Sequence, residues 1–204
     1  MKVLMINGSS RKNGCTFRAL TEIEKVLKEN NIETEIVQLG AMPVRDCIGC
    51  LACKKSGNNK CVFDDDIVNE IIEKAKSCDG FIFGSPVYYA HPSGRLLSVL
   101  DRVFYAGGKF FAYKPGAAVV SARRAGTTAS TDVINKYFTI NNMPVVSSQY
   151  WNMVHGSKAE DVEQDLEGLH VMRILGKNMV WLLNMIKEKG HPEPEIKAVT
   201  NFIR

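Results

Sequence analysis

The chain has 204 residues, of which 45% are hydrophobic and 24% charged, with a formal net charge of +4, and this composition predicts one ordinary globular domain over residues 1–204. The positive charge is mild and scattered, with no basic stripe, so we do not expect a nucleic-acid partner. No apolar run approaches the roughly 18 residues of a membrane span, and the N-terminal apolar run is too short for a secretory signal, so we expect a cytoplasmic protein with no membrane partner.

Strands alternate with helices along the predicted chain. The strands are predicted at residues 2–7, 32–39, 80–85, 116–122 and 143–148. Helices with apolar residues every three or four positions are predicted at about 16–30, from residue 64 onward, at 92–104, 128–140 and 159–189, the last of these a long C-terminal helix. This alternation requires parallel pairing through right-handed crossovers. It predicts an α/β fold, a flavodoxin-like doubly wound five-stranded parallel sheet with strand order 2-1-3-4-5, whose ligands bind above strands 1 and 3.

The segment GSSRKNGCT follows the first strand, where a doubly wound sheet binds phosphate. Ser9, Ser10 and Thr16 supply hydroxyl groups, Arg11 adds one charge, and the next helix begins with free backbone N–H groups. The segment matches neither G-x-G-x-x-G nor G-x-x-x-x-G-K-[ST], so it predicts neither a dinucleotide site nor a Walker loop. A hydroxyl-rich loop with little charge suits a monophosphate such as that of FMN. An ordinary polar turn is the alternative.

The chain resembles the NAD(P)H-dependent FMN reductase family and its iron–sulfur flavoprotein relatives in three segments that occur in this order: GSSRKNGCT, CIGCLACKKSGNNKCVFDDD and GSPVYYAHPSGRLLSVLDR. The resemblance spans roughly residues 1–150. It implies an FMN-bearing oxidoreductase that uses NAD(P)H as co-substrate and is commonly a dimer or tetramer. It also implies that the FMN phosphate is held by Ser9, Arg11, Asn13, Gly14, Cys15 and Thr16.

The segment SPVYY ends the third strand at the predicted crevice. Its backbone groups can bond the pyrimidine edge of a flavin, and a tyrosine can pack on the ring. The resemblance implies that the ribityl chain and the isoalloxazine ring lie against Pro86, Val87, Tyr88 and Tyr89, and we include Ser85 in the predicted site. The alternative is that the two tyrosines only shield the end of the sheet.

The segment SARRAGTT ends the fourth strand with two adjacent arginines. An arginine at this edge can stabilise the negative charge that develops on a reduced flavin, or it can bind the phosphates of a nicotinamide cofactor. The alternative is a pair of solvated arginines. We predict Ser121, Arg123 and Gly126 as flavin neighbours.

A cysteine-rich loop at about 40–63 holds four of the six cysteines, with the spacing C-x₂-C-x₂-C-x₇-C. In a reducing compartment such clusters favour metal binding or redox chemistry over disulfides. The spacing is similar to the compact motif of the iron–sulfur flavoproteins, which implies a [4Fe–4S] centre held by Cys47, Cys50, Cys53 and Cys61. Cluster-free thiols, as in other FMN reductases of the family, and a zinc site remain open alternatives.

Three functional hypotheses follow. The leading one is an oxidoreductase in which NAD(P)H delivers hydride to bound FMN, and electrons pass on to a flavin, a quinone or another small-molecule or protein acceptor. This chemistry belongs to the flavin, so we predict no catalytic side chain. The second is an electron carrier working through FMN and a [4Fe–4S] cluster. The third is a non-catalytic protein that binds a phosphate ligand or a partner.

The predicted C-terminal helix carries apolar residues away from its main apolar stripe, at Val171, Ile174, Val180 and Trp181. A second apolar surface on a helix predicts contact with another subunit, whereas a broad face towards the core is the alternative. Together with the family resemblance, this pattern predicts a homodimer or homotetramer.

Overall fold

The structure, a computed structural model, describes residues 1–196 and 198–200. Its strands are β1 (Lys2–Asn7), β2 (Glu33–Gln38), β3 (Gly80–Tyr88), β4 (His91–Pro92), β5 (Gly116–Ala122) and β6 (Met153–His155). Its helices are α1 (Cys15–Glu29), α2 (Ala52–Ser56), α3 (Val68–Ala75), α4 (Gly94–Gly107), α5 (Thr127–Ile140), α6 (Ala159–Val162) and α7 (Leu166–Lys189), with a 3₁₀ turn at Gly108–Phe110.

The main sheet has the order β2-β1-β3-β5-β6, and all of these neighbours pair in parallel. Strand β4 pairs only with β3, as the second arm of an antiparallel hairpin. When β4 is set aside, the order is the predicted one. The predicted doubly wound parallel sheet is therefore confirmed.

Alternate residues of the strands face opposite layers of helices, as the pleat requires. Leu4 and Ile6 of β1 pack into a core that includes apolar residues of α3, α4 and α5. Val3 and Met5 of the same strand pack into a second core with residues of α1 and α7. Because helices cover both faces, the inner strands are apolar along almost their whole length, which is why they were readable as buried runs.

The fifth strand was predicted in the wrong place. Residues 143–148 touch β5 through one bridge only, between Gly116 and Val145. The chain then leaves the sheet, exposes Trp151, and returns where the Asn152 carbonyl accepts a hydrogen bond of 3.0 Å from Val120 N–H. The strand proper is β6. The apolar segment was predicted correctly as sheet-facing, since Gly116 N–H donates to the Pro144 carbonyl and Val146 N–H to the Gly116 carbonyl, but this pairing ends after Val146.

The C-terminal helix is divided where one continuous helix was predicted. Helix α6 ends at Val162 and α7 begins after Asp165, whose side chain accepts a hydrogen bond of 2.9 Å from Gly168 N–H. Of the predicted outer apolar residues of α7, Val171 is buried and Val180 packs against the core, whereas Trp181 is 63% exposed. No helix in the described ranges combines the length and apolar character needed to cross a membrane.

Candidate functional site

A cleft of about 250 Å³ opens at the carboxyl edge of the sheet, above β1, β3 and β5. Neighbouring connections leave the sheet towards opposite faces there, which is where doubly wound sheets bind ligands. The cleft is lined by Ser9, Arg11, Gly14, Cys15, Thr16, Pro86, Val87, Tyr88, Ser121, Ala122, Arg123, Gly156 and Ser157. The structure thus brings together ten of the fourteen residues that were predicted to bind the cofactor.

The loop between β1 and α1 is fixed by three other elements. Gly8 N–H donates to the Gly84 carbonyl of β3 at 2.8 Å, and the Ser93 hydroxyl donates to the Gly8 carbonyl at 2.9 Å. The Gln38 side-chain amide of β2 donates to the Ser9 carbonyl at 2.6 Å. A Cβ at Gly8 would lie 2.8 Å from the Gly84 oxygen, so a larger residue would push the strands apart. These contacts hold the start of α1 at the cleft.

The N-terminus of α1 has the properties of an anion site. Its N-cap, Gly14, offers no side-chain cap, and the first turn carries no acidic residue. Cys15 and Thr16 of that turn line the cleft. The free N–H groups and the positive end of the helix dipole therefore face the ligand space. This donor set fits the phosphate of FMN, and the side chain of Arg11 adds positive charge beside it.

Two buried hydroxyl groups form the floor of the cleft. The Thr16 and Ser121 oxygens are 2.8 Å apart, and the two residues are 1% and 4% exposed. This hydrogen bond ties the first turn of α1 to the end of β5. A hydroxyl can donate one hydrogen bond and accept others, so the pair can also bond a ligand that lies above it.

The β3–β4 hairpin forms one wall of the cleft. Its two-residue turn consists of Tyr89 and Ala90, with φ of +51° and +59°. Two central residues with positive φ are the pattern of a type I′ turn, which is usually made by Asn-Gly, so this turn is strained. Gly126, at φ +95°, packs under it, and a Cβ there would lie 2.6 Å from Ala90 Cα. The hairpin can approach α5 only because residue 126 is glycine.

Four predicted residues do not line the cleft. Asn13 is exposed, Tyr89 points its ring fully into solvent at the hairpin tip, and Gly126 supports the hairpin from behind. Ser85 is buried, where its hydroxyl accepts a hydrogen bond of 2.8 Å from Ser93 N–H. Ser85 therefore shapes the end of β3, and a direct role for these four in binding stays a prediction.

Three lining residues were missed by the sequence analysis, namely Ala122, Gly156 and Ser157. Gly156 N–H donates to the Ala122 carbonyl at 3.0 Å, and the Arg11 guanidinium donates to the Ser157 carbonyl at 3.1 Å. This second loop follows β6 directly. With the fifth strand predicted at 143–148 and the last helix from about 159, this loop fell in the connection between them, and none of its residues was predicted to bind the cofactor.

The thiol of Cys15 is a neutral group in the cleft. Burial raises its pKa above the usual value, the nearby Asp161 carboxylate adds to the effect, and Arg11 opposes it. An uncharged thiol does not repel a phosphate, so Cys15 is compatible with an anion site.

The four clustered cysteines line a second pocket, on the outer side of α4. Its wall is formed by Cys47, Ile48, Cys50, Leu51, Cys53, Cys61, Val62, Phe63, Arg102, Tyr105 and Ala106. Cys47 and Cys50 are exposed, Cys53 and Cys61 are half-buried, and all four are free thiols. The chain around them contains only the short helix α2 and several residues with positive φ, including Gly49 and Leu51.

Cys61 is the most firmly held of these cysteines. Its N–H donates to the Asn69 side chain at 2.8 Å, and Asn69 donates back to its carbonyl at 3.0 Å. Its sulfur accepts an N–H from Arg102 at 3.3 Å.

The donor set of this pocket fits an iron–sulfur cluster, because four unpaired thiols share one mainly apolar wall with a cationic hydrogen-bond donor. Among residues 1–196 and 198–200, however, no three cysteine, histidine or acidic side chains converge on a single point suited to one metal ion. The described residues therefore show one pocket shared by the four thiols, but no three of these thiols converge on one point.

Comparison with known proteins gives consistent results. A family model described as NADPH-dependent FMN reductase matches residues 1–158. An iron–sulfur flavoprotein of Methanocaldococcus jannaschii is 36% identical over 196 residues, covering 92% of this chain and 100% of that protein. An iron–sulfur flavoprotein of Methanosarcina thermophila is 30% identical over 192 residues, covering 92% of this chain and 98% of that protein.

Among solved structures, a flavodoxin from the domain Archaea is similar, with a TM-score of 0.59 over 90% of this chain and 99% of that chain. The two sequences are 14% identical, so this similarity shows the fold alone, and the fold is flavodoxin-like.

Proposed function

The chain belongs to the NADPH-dependent FMN reductase family, and from this premise we propose that it is an FMN-dependent oxidoreductase that takes hydride from NAD(P)H and passes electrons to a flavin, a quinone or another acceptor. The observation that carries the proposal is the uncapped N-terminus of α1, which faces a hydroxyl-floored cleft at the switch point of the sheet. FMN, when bound there, supplies hydride and electron transfer at its ring.

The chain's own contribution is to bind and orient the cofactor. The first-turn N–H groups of α1 and the hydroxyls of Ser9 and Thr16, which line the cleft, would hold the phosphate. Pro86, Val87 and Tyr88 of β3 provide a mostly apolar wall for the ring. Arg123 also lines the cleft, where a guanidinium would stabilise negative charge on a reduced flavin or on the phosphates of a nicotinamide. Because the chain only binds and orients the cofactor, the proposal requires no side chain that acts as a catalytic acid or base.

Anaerobic mixing of the FMN-loaded protein with NADH or with NADPH tests the proposal. We expect bleaching of the visible flavin absorption by at least one of the two nucleotides, within seconds. A flavin that stays oxidised with both, yet is bleached by dithionite, would contradict hydride transfer from nicotinamide and would favour the electron-carrier hypothesis.

Adjacent arginines offer a matched pair for the same assay. Arg123 lines the cleft, whereas Arg124 is exposed and lies outside it, with its backbone carbonyl 3.2 Å from the His155 ring nitrogen. Arg123→Gln is expected to slow bleaching about tenfold, the effect of losing one charged contact, and Arg124→Gln to leave it unchanged. Equal bleaching rates in the two variants would contradict a role for Arg123 in the proposed site.

A second candidate function is an electron carrier that works through FMN and a [4Fe–4S] cluster. The observation that favours it is the shared pocket of Cys47, Cys50, Cys53 and Cys61, and the two relatives compared above are named iron–sulfur flavoproteins. The cluster, when bound, supplies one-electron transfer. Iron and sulfide analysis of anaerobically purified protein distinguishes the two: about four irons per chain support the cluster, and flavin without iron contradicts it.

Assembly into a homodimer or homotetramer also remains a proposal. Trp181 and Met185 of α7 are 63% and 39% exposed, which supports a subunit contact on that helix. Light scattering at working concentration tests it, and a monomer would contradict it.

A further inference from the structure

Arg102 is the bulkiest of the fully buried side chains in the described chain, at 1% exposure. It lies in the middle of α4 and faces the cysteine-rich loop. Its guanidinium forms an ion pair with Asp66 and donates to the carbonyls of Arg45 and Phe63, each at 3.2 Å. Its remaining donor, Nε–H, points at the Cys61 sulfur at 3.3 Å. The arginine is thus held on four sides.

The contact with sulfur differs in kind from the other three. A carboxylate and two carbonyls are strong acceptors and are sufficient to anchor a loop, whereas a neutral thiol is a weak one. A buried guanidinium gains most from a sulfur that carries negative charge, as a cysteine bound to a metal centre does. The orientation of Nε–H therefore points to a ligand-bearing sulfur at Cys61.

The position of that sulfur is set before any ligand arrives. Asn69 of α3 bonds both backbone groups of Cys61, at 2.8 and 3.0 Å, and also bonds the Phe63 carbonyl at 3.2 Å. Helices α3 and α4 together fix one thiol of the four, whereas Cys47 and Cys50 lie in the exposed part of the loop. Cys61 is the rigid corner of the cysteine pocket.

We propose that Arg102 is a positioning residue which orients the Cys61 sulfur and raises the reduction potential of a cluster bound in the cysteine pocket. The inference rests on the iron–sulfur cluster of the second candidate function. Addition of one electron makes such a centre one unit more negative. An N–H donor and a positive charge at a ligand sulfur stabilise that reduced form relative to the oxidised one.

A redox titration of the anaerobically reconstituted full-length protein, followed by electron paramagnetic resonance, tests the proposal. Arg102→Gln removes the positive charge, and we expect a reduction equilibrium about tenfold less favourable, which is 59 mV lower for a one-electron couple. Arg45→Gln is the matched control. The Arg45 guanidinium lies over the Phe63 ring, 4.5 Å from its centroid. It pairs with Asp65 on the surface and does not bond a sulfur. We expect its potential to equal that of the wild type.

A variant that is expected to shift the reduction potential in the opposite direction separates this role from a merely structural one. Asp66→Asn leaves Arg102 in place but removes the negative charge that pairs with it. In the wild type the Asp66 carboxylate also accepts a hydrogen bond of 3.1 Å from Val68 N–H, and the amide oxygen of an asparagine can accept the same bond. The field at Cys61 becomes more positive, so we expect a shift upward in potential. Loosening of the loop alone would not move the two variants in opposite directions.

The outcomes distinguish this inference from the proposal beneath it. A wild-type protein that binds no iron after reconstitution would overturn the cluster and this inference together. A wild-type cluster whose potential is unchanged in Arg102→Gln and Asp66→Asn, or is moved in the same direction by both, would overturn this inference alone. Should Arg102→Gln not fold, Arg102→Lys replaces it. A lysine keeps the charge beside Asp66 but cannot also reach the sulfur, so a smaller downward shift is expected, and no shift contradicts the proposal.

Discussion

The cleft at the carboxyl edge of the sheet and the cysteine pocket are built in different ways. The cleft is formed by the ends of β1, β3 and β5 and the first turn of α1, and main-chain bonds such as Gly8 N–H to the Gly84 carbonyl hold its loop. The cysteine pocket lies in residues 39–67, between β2 and α3, where the only regular element is the short helix α2. Side chains from outside hold that loop: Asn69 and Arg102 at Cys61, and Arg95, which donates to the carbonyls of Ala41 and Met42. One site is a property of the fold, and the other depends on a few contacts.

Helix α4 connects the two sites. Ser93, at its N-terminus, bonds the Gly8 carbonyl of the phosphate loop, and Arg102, nine residues later, bonds the Cys61 sulfur. At 1.5 Å per residue the two contacts are roughly 13 Å apart along the helix axis. The sites therefore share an element without sharing side chains, so each should be removable without the other.

The largest expected effect is loss of iron from the cysteine pocket. Cys61→Ser removes the fixed thiol, and we expect complete loss of reconstitutable iron, because a serine hydroxyl is a poor ligand for a soft thiolate site. FMN affinity should stay at the wild-type value. Iron analysis and flavin titration of the same preparation measure both. Cys78→Ala, at a buried cysteine outside the pocket, is the control and should keep its iron.

The next effect concerns the cleft. Thr16→Val keeps the shape of the side chain but removes the hydroxyl that bonds Ser121 and lines the cleft. Loss of a hydrogen bond to a charged group, about 1.5–3 kcal/mol, predicts FMN binding weaker by about 10- to 150-fold. Iron content should not change.

Thr21→Val is the matched control for Thr16→Val. It alters the same helix outside the cleft, where the Thr21 hydroxyl bonds only the Arg18 carbonyl, at 2.9 Å. If both threonine variants bind FMN equally, the hydroxyl floor has no part in binding.

A smaller effect is expected on the stability of the loop. Asn69→Leu leaves both backbone groups of Cys61 and the Phe63 carbonyl without their partner, which predicts a loss of about 1–3 kcal/mol in the free energy of unfolding. Denaturant unfolding measures it. Asn178→Leu removes a single exposed bond to the Ser147 carbonyl and should cost under about 1 kcal/mol. Equal losses in the two variants would mean that Asn69 does not anchor the loop.

The smallest expected effect concerns Glu22 and the dependence of stability on pH. Burial raises the pKa of Glu22, but hydrogen bonds from Arg173 at 2.7 Å and Arg18 at 2.9 Å outweigh it, so the pKa is lowered overall. The folded state thus binds fewer protons than the unfolded state. The stabilising contribution of the Glu22 carboxylate is present above the pKa of the unfolded state, near 4.5. It is lost as the pH falls through the lowered pKa of the folded state.

Glu22→Gln tests this contribution. The variant should lose about 1 kcal/mol at neutral pH and converge on the wild type in acid. Thermal unfolding over a pH series measures both, and parallel curves for the two proteins would refute the lowered pKa.

The sequence was informative where structure is local. The apolar run of β1 followed by GSSRKNGCT predicted a loop at the carboxyl edge of the sheet, because strand, turn and helix start are consecutive in the chain, and the loop lines the cleft there. Gly156 and Ser157 were missed because the edge strand is interrupted after Val146, and alternation alone does not reveal an interruption. Arg102 is the opposite case. Its burial depends on Asp66 and Cys61, which the fold brings to α4 from 36 and 41 residues away, and no periodicity records such contacts.

The most direct test of the central claim, that the start of α1 grips a phosphate, is calorimetric titration of flavin-free protein with FMN and with riboflavin, which differ only in that phosphate. We predict one FMN per chain and an affinity for FMN at least about tenfold higher than for riboflavin, the minimum expected from one charged contact. Equal affinity for the two flavins, or no binding of FMN, would contradict the account.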